Sequence, residues 1–302
     1  MISEDIRAFA AGFDKTLEQL IPPVDKEAVI LDESMRYSLL GGGKRLRPML
    51  MAATFEAYSG RDWEEDRLVP SFMTALEMIH TCSLVHDDLP AMDDDDLRRG
   101  RRTNHIVYGE DMAILAGDGL LNGAYELMAE VIRKEAEAGE HEAAARGIKA
   151  MSVIAWCTGN CGMIAGQVID VTQRANKLSR IIDMYEKKTG ALLAAALVSG
   201  AILGGASKED QDTLYQVAMQ TGVSFQIRDD ILDITGDVEK TGKPVGSDEE
   251  RDQVTYVSLR GLEQAQVDVE QYTTEALTGL QKLSGHTDVL EKILVGLIGR
   301  QA

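Results

Sequence analysis

Apolar residues recur along most of this chain at a spacing near 3.6, while the two-residue alternation of a half-buried strand is nearly absent. Long segments rich in Ala, Leu, Met and Glu carry that pattern, which predicts an all-α fold. Pro22-Pro23-Val24-Asp25 is a start signal for a helix that runs to about Leu40, and Gly41-Gly42-Gly43 ends it. A second helix is predicted over 70–88, where Phe72, Met73, Leu76, Ile79, Leu84 and Val85 form a buried stripe and Pro90 forces a break just beyond. Further helices are expected over 109–137, 142–171, 179–199 and 208–233, and from Thr255 through the C-terminus. The one long loop candidate is 236–252, dense in Gly, Lys, Pro and Asp.

The stretch 190–207 is uncharged and rich in Ala and Leu, close to the roughly 20 residues that cross a bilayer. Ser199, Gly200, Gly204 and Gly205 interrupt it. A helix apolar on all sides also arises at the centre of a large helical protein, so burial is expected here and no stable membrane insertion.

Composition narrows the partners. The 302 residues show no seam between halves, so a single domain over 1–302 is expected. A formal net charge of −19 argues against nucleic acid or anionic membrane as the main partner, since both need a basic face. Cys82, Cys157 and Cys161 are too few and too irregularly spaced for a secreted disulfide framework. The Cys157-x3-Cys161 pair has no second ligand pair nearby and is expected to be two buried thiols one turn apart rather than a zinc site. The first residues, Met-Ile-Ser-Glu-Asp-Ile-Arg, form no basic-then-apolar leader, and a cytoplasmic location is expected.

Two acidic clusters change the picture: Asp87-Asp88-Leu89-Pro90-Ala91-Met92-Asp93 and Asp229-Asp230-Ile231-Leu232-Asp233. Carboxylates massed at the end of an apolar stretch repel one another unless a cation lies among them. Oxygen ligands alone suit hard divalent ions, Mg²⁺ above all, which commonly grip a substrate phosphate. Asp229 and Asp233 are four apart, so on one helix they point the same way and can share an ion. A helix interrupted at Pro90 brings Asp93 back toward Asp87 and Asp88. Asp94 and Asp96 are read as solvated, and a calcium loop is excluded because Arg98 stands where its turn needs glycine.

Near the acids lie cations suited to an anion: Lys44, Arg45 and Arg47, then Arg98, Arg99, Arg101 and Arg102. The glycine run before Lys44 is no nucleotide P-loop, which needs Ser or Thr after its lysine and a glycine where Ser38 stands. Carboxylates for metal beside a separate basic group suggest two phosphorylated ligands, one bound through Mg²⁺ and one directly.

With these motifs the chain resembles the short-chain trans-polyprenyl diphosphate synthases, most closely the bacterial farnesyl and geranylgeranyl diphosphate synthases. Gly42-Gly43-Lys44-Arg45-Leu46-Arg47-Pro48, His80, the block from Asp87 to Arg99, Lys188-Thr189-Gly190, Phe225-Gln226, Asp229 to Asp233 and Gly242-Lys243 occur in the family's order and spacing. The resemblance implies a single-domain bundle of about ten or more helices around a central substrate cavity, of the isoprenoid synthase type, working as a homodimer. It implies that Asp87, Asp88, Asp93, Asp229, Asp230 and Asp233 surround Mg²⁺, three ions per site, that hold an allylic diphosphate. Arg98, Lys188 and Lys243 complete that site, Thr189 and Gln226 lie near the reacting carbons, and Lys44, Arg47, His80 and Arg99 hold isopentenyl diphosphate without metal.

The implied activity is head-to-tail condensation of isopentenyl diphosphate with dimethylallyl or geranyl diphosphate, ending at farnesyl diphosphate with a share of geranylgeranyl diphosphate. Cys82, five residues before the first Asp, and its neighbour Ser83 are the implied product-length positions. Where relatives often carry lysine, this chain has Gln253. A geranylgeranyl diphosphate synthase is the nearest alternative. A class I terpene cyclase normally pairs its Asp motif with an Asn/Asp-Ser/Thr-Glu pattern, which the second Asp-Asp-x-x-Asp replaces here. A non-catalytic partner subunit tends to lose Asp motifs that are intact here.

Overall fold

The uncharged stretch becomes the central helix of the protein. In the computed structural model, which describes residues 2–172, 176–235 and 254–298, every residue from Ala191 to Leu203 of this helix is buried. Helices on several sides sheathe it, which accounts for its lack of a polar face. Gly200 lets one of them come close: a Cβ there would stand 2.4 Å from the Met51 carbonyl oxygen.

Around that centre, in chain order, run α1 (Ile2–Leu20), α2 (Val29–Leu39), α3 (Leu46–Ser59) and α4 (Val69–Asp87). A two-stranded hairpin of β1 (Leu97–Arg98) and β2 (Arg101–Arg102) follows, then α5 (Asn104–Tyr108), α6 (Glu110–Glu137), α7 (His141–Thr158), α8 (Met163–Val171) and α9 (Leu178–Tyr185). A π-helical turn (Glu186–Gly190) leads into the central helix α10 (Ala191–Gly204), and α11 (Lys208–Thr235), α12 (Tyr256–Arg260), α13 (Leu262–Leu280) and α14 (Asp288–Ile298) complete the bundle. The antiparallel hairpin pairs Leu97 with Arg102 and Arg98 with Arg101.

The large core joins Phe13 and Leu17 of α1, Leu50 of α3, Leu76 of α4, Leu120 of α6, Ile154 of α7, Leu197 of α10, Leu214 of α11, Ala276 of α13 and Leu294 of α14. A second cluster, with Ile181, Val223, Ile227, Ile231 and Val269, lies beneath the second Asp motif. Helix ends follow local chemistry. Asp25 accepts the Glu27 amide to open a 3₁₀ turn before α2, and Thr255 and Ser258 cap each other at the start of α12.

Four expectations are corrected. The helix expected from Thr255 through the C-terminus is three helices, broken at Gly261, where φ is 77°, and again between Leu280 and Asp288. The helix expected over 142–171 is two helices, because the chain turns at Gly159 and Gly162: a Cβ on Gly162 would lie 1.8 Å from the Cys157 carbonyl oxygen. That break leaves Cys157 buried but Cys161 exposed, so the pair is not two buried thiols. The helix expected over 179–199 contains the π turn and continues to Gly204. The loop candidate 236–252, Lys243 and Gln253 lie outside the described residues.

Candidate active site

Asp87 ends α4, and the chain then folds back on itself. The Asp88 amide donates to the Leu84 carbonyl at 3.1 Å, but Pro90 has no amide to continue the ladder. Instead the Asp93 amide donates to the Asp87 carbonyl at 2.9 Å, which returns the third carboxylate of the motif to the first. Burial pushes the Asp87 carboxyl up to about 6; Lys188 opposes that rise and Asp93 and Asp88 add to it. Asp88 is only 3% exposed, and its Oδ1 accepts Arg98 Nε at 2.7 Å and Nη2 at 2.6 Å. Burial raises its pKa too, with the Arg98 hydrogen bond and charge working against the rise.

Helix α8 and the π turn supply the next groups. Gln167 donates to Asp87 Oδ1 at 2.8 Å, and Asp170, three residues on, pairs with Lys188. Gly166 permits this approach, since a Cβ there would lie 2.3 Å from the Lys188 amide nitrogen. A π turn widens the helix locally and is frequent at functional sites. Here it carries Lys188 and Thr189, and Thr189 Oγ1 donates to Gln226 Oε1 of α11 at 2.9 Å.

On α11, Asp229 and Asp233 are partly exposed and four residues apart. Asp230 is turned into the protein: its Oδ2 accepts the Tyr185 hydroxyl at 2.6 Å and the Tyr256 amide at 2.8 Å. Asp87, Asp88 and Asp230 thus each accept from a protein donor, and among the described residues no three His, Cys, Asp or Glu side chains close into a metal-holding group. The donor set nevertheless fits a hard divalent ion: it is all carboxylate oxygen, and Asp87 is buried among like charges that a cation would relieve.

The basic group divides by role. Arg45, 2% exposed, donates to Asp14 at 2.8 Å, Glu77 at 2.7 Å and the Leu39 carbonyl at 2.8 Å, so it is spent inside the fold. Arg47 Nη1 lies 3.1 Å from His80 Nε2, while Arg47 Nε is buried without a partner. Burial lowers the Arg47 pKa to about 10, with Glu77 opposing and Arg99 adding. His80 is held well below its ordinary range by burial and by Arg47, Arg99, Arg98 and Arg45. Its imidazole is therefore neutral and accepts through Nε2, because a guanidinium can only donate. Arg99 donates to the Gly42 carbonyl, and Lys44 is exposed on the turn before α3.

Cys82 is buried one turn below Asp87 and Sγ lies 4.0 Å from His86 Nδ1. Burial pushes its thiol up to about 12, with Asp118 and Asp87 adding. Ser83 donates to the His80 carbonyl at 2.8 Å. One turn deeper, Met78 is fully buried, and its methyl lies 3.0 Å from where a Cβ on Gly123 of α6 would stand.

Gln167, Asp170 and Tyr185 are the site residues that the motif reading passes over. Their signal is faint: two polar side chains three apart in Met-Ile-Ala-Gly-Gln-Val-Ile-Asp-Val, and a tyrosine ahead of Lys188.

A family model described as polyprenyl synthetase matches residues 28–294. The farnesyl diphosphate synthase of Bacillus subtilis (strain 168) is 40% identical over 297 residues, covering 97% of each chain. The chloroplastic geranylgeranyl pyrophosphate synthase of Catharanthus roseus is 42% identical over 281 residues, 91% of this chain and 75% of that one. Among solved structures, the Helicobacter pylori geranyltransferase complexed with magnesium and isoprenyl diphosphate superimposes with a TM-score of 0.80 at 28% identity, over 98% of this chain and 96% of that one. Matched nearly end to end in sequence and in fold, the chain belongs to the polyprenyl synthetase family and is a trans-prenyltransferase.

Proposed function

We propose that the protein condenses isopentenyl diphosphate head to tail with dimethylallyl and geranyl diphosphates, giving farnesyl diphosphate and a share of geranylgeranyl diphosphate. The observation that carries this reading is the presence of two separate anion-handling sets around the end of α4. One is carboxylate-rich, Asp87 and Asp93 with Lys188 on Asp170; the other, Arg47, His80 and Arg99, has no carboxylate bonded to it among the described residues. A Mg²⁺-bound diphosphate suits the first and a metal-free diphosphate the second.

Asp87, Asp88, Asp93, Asp229, Asp230 and Asp233 would hold Mg²⁺, three ions per site, with Asp88 also holding Arg98, and Asp230 holding Tyr185 and Tyr256. Magnesium supplies the positive charge that makes diphosphate a good leaving group. Lys188 and Arg98 add charge to the same leaving oxygens as the allylic C–O bond breaks, an effect stronger in the transition state than in the ground state. Neutral His80 and Arg47 hold the second substrate with its alkene toward the cation, and Thr189 and Gln226 face the reacting carbons. The proton lost at the end passes to the departing diphosphate.

Several further features belong to the same reading: a single domain, a cytoplasmic location and a homodimer. Exposed Ile106 and Val107 on α5 and Ile114 and Leu115 on α6 offer an apolar face for a second copy. Geranylgeranyl diphosphate as main product is the second reading, favoured by the small Cys82 side chain.

The test is incubation with Mg²⁺, isopentenyl diphosphate and each allylic starter, followed by sizing of the products. A C15 diphosphate with some C20 is expected. A cyclic hydrocarbon, or no product with any starter, would sink the proposal.

A further inference from the structure

Arg45 stands between Lys44 and Arg47, two of the residues read as holding the metal-free diphosphate, but its own side chain points into the protein. Its backbone is left-handed, with φ 47° and ψ 38°, at the start of α3. That region is costly for a residue with a Cβ and persists only where the surroundings over-determine it. Three acceptors from three elements do so here. Nε donates to Asp14 of α1 at 2.8 Å, Nη1 to Glu77 of α4 at 2.7 Å, and Nη2 to the Leu39 carbonyl at the end of α2 at 2.8 Å. Glu77 is 2% exposed, and among the described residues its ion pair is with Arg45 alone.

The same helix reaches the segment a second time. His80, three residues after Glu77 on α4, lies with Nε2 3.1 Å from Arg47 Nη1. Residues three apart on a helix share a face. One face of α4 therefore grips the segment at Arg45 through Glu77 and at Arg47 through His80, which fixes both where the turn stands and how it is rotated. Arg47 needs that: a guanidinium meets a diphosphate in a two-point contact only in the right orientation. A buried ion pair is weak grounds for stability by itself, and orientation is what the Arg45 pair supplies.

We infer that Arg45, clamped by Glu77 and Asp14, is a positioning residue for isopentenyl diphosphate: it fixes the turn that presents Lys44 and Arg47 to the metal-free diphosphate and touches no substrate itself. The inference rests on the reading of Lys44, Arg47, His80 and Arg99 as that site.

The test is the Michaelis constant for each substrate, with isopentenyl diphosphate binding measured by calorimetry in EDTA, in Glu77→Met, Glu77→Gln and Asp14→Ala of the full chain. Glu77→Met removes the acceptor and should raise the constant for isopentenyl diphosphate about tenfold, the scale of one charged hydrogen bond lost between Arg47 and the diphosphate, while the allylic constant stays within about twofold. Glu77→Gln keeps an oxygen for Arg45 Nη1 and should recover most of that loss. Asp14 is partly exposed, so Asp14→Ala decides the matter if Glu77→Met does not fold; it should raise the same constant by about threefold, since a more exposed ion pair counts for less. A purely structural clamp would lower the amount of active enzyme and leave both Michaelis constants alone. That result, or an equal rise in both constants, would overturn the inference. Arg47→Ala tests the underlying site separately. If it weakens isopentenyl diphosphate binding and the clamp variants do not, the clamp alone fails; if it leaves binding unchanged, the site assignment fails and the clamp with it.

Discussion

Tyr185→Phe isolates one oxygen atom that ties three parts of the site together. Tyr185 ends α9, immediately before the π turn that carries Lys188 and Thr189. Its hydroxyl donates at 2.6 Å to Asp230 Oδ2, which also accepts the amide of Tyr256 at the start of α12. Both side chains are buried, Tyr185 at 4% and Asp230 at 6% exposure. A hydrogen bond to a charged acceptor contributes about 1.5–3 kcal/mol, so removing this one should lower the melting temperature by roughly 2–5 °C in a chain of this size. Lys188 and Thr189 lose their anchor, so the Michaelis constant for the allylic diphosphate should rise, while the Mg²⁺ requirement changes little because every carboxylate remains. Asp230→Asn in the same background should add less than its effect alone, since both changes act through one bond. Circular dichroism melts and steady-state rates at varied allylic diphosphate measure these quantities. An unchanged melting temperature together with an unchanged allylic Michaelis constant would refute the clamp.

Three further outcomes follow from the basic residues and from Cys82. Arg45→Met should destabilise the fold by about 3–5 kcal/mol in chemical denaturation, because it leaves Glu77 buried without its partner; a small loss would mean Glu77 finds another donor. Arg47→Ala should raise the Michaelis constant for isopentenyl diphosphate more than that for the allylic substrate, and Arg47→Lys should restore it only in part, with equal effects on both substrates placing Arg47 elsewhere. Cys82→Tyr should confine products to C15 or shorter, since a helix rises about 5.4 Å per turn, roughly one isoprene unit, and the ring would fill the turn above Met78; an unchanged product distribution would put the floor at Met78 and Gly123.

Much of the helical frame is legible in the chain because its signals are local. The stripe from Phe72 to Val85 with Pro90 beyond it, and the run from Lys208, give helices within a few residues of those observed. Helix α3 is harder to read: its N-cap residue is Arg45 in a left-handed conformation with no side-chain cap, and long-range bonds to Asp14 and Glu77 hold it there. Helix α1 is not among the expected helices, although Phe9, Phe13 and Leu17 stand four apart along it. The π turn has no periodic signature, since it lies where α8 at Gly166 and α11 at Gly222 come close to its backbone, and the break at Gly159 to Gly162 is a local turn against the Ala155 and Cys157 carbonyls that interrupts an otherwise continuous apolar pattern. In the site, motif residues announce themselves by massed charge. Gln167, Asp170 and Tyr185 do not, because each is an ordinary polar residue whose partner is far away in sequence. Spacing alone also says nothing of where a carboxylate turns, and so Asp88 and Asp230 read as equivalent to Asp87 and Asp229 although their partners differ.

The most direct test of a carboxylate-held metal at the reaction centre is product formation in Asp87→Ala, in Asp229→Ala and in wild type with EDTA, with binding of isopentenyl diphosphate measured in parallel. Turnover should fall by at least about a hundredfold in each case, the scale expected for losing charge stabilisation of a leaving group, while isopentenyl diphosphate still binds. Near-normal turnover in EDTA or in either variant would contradict it.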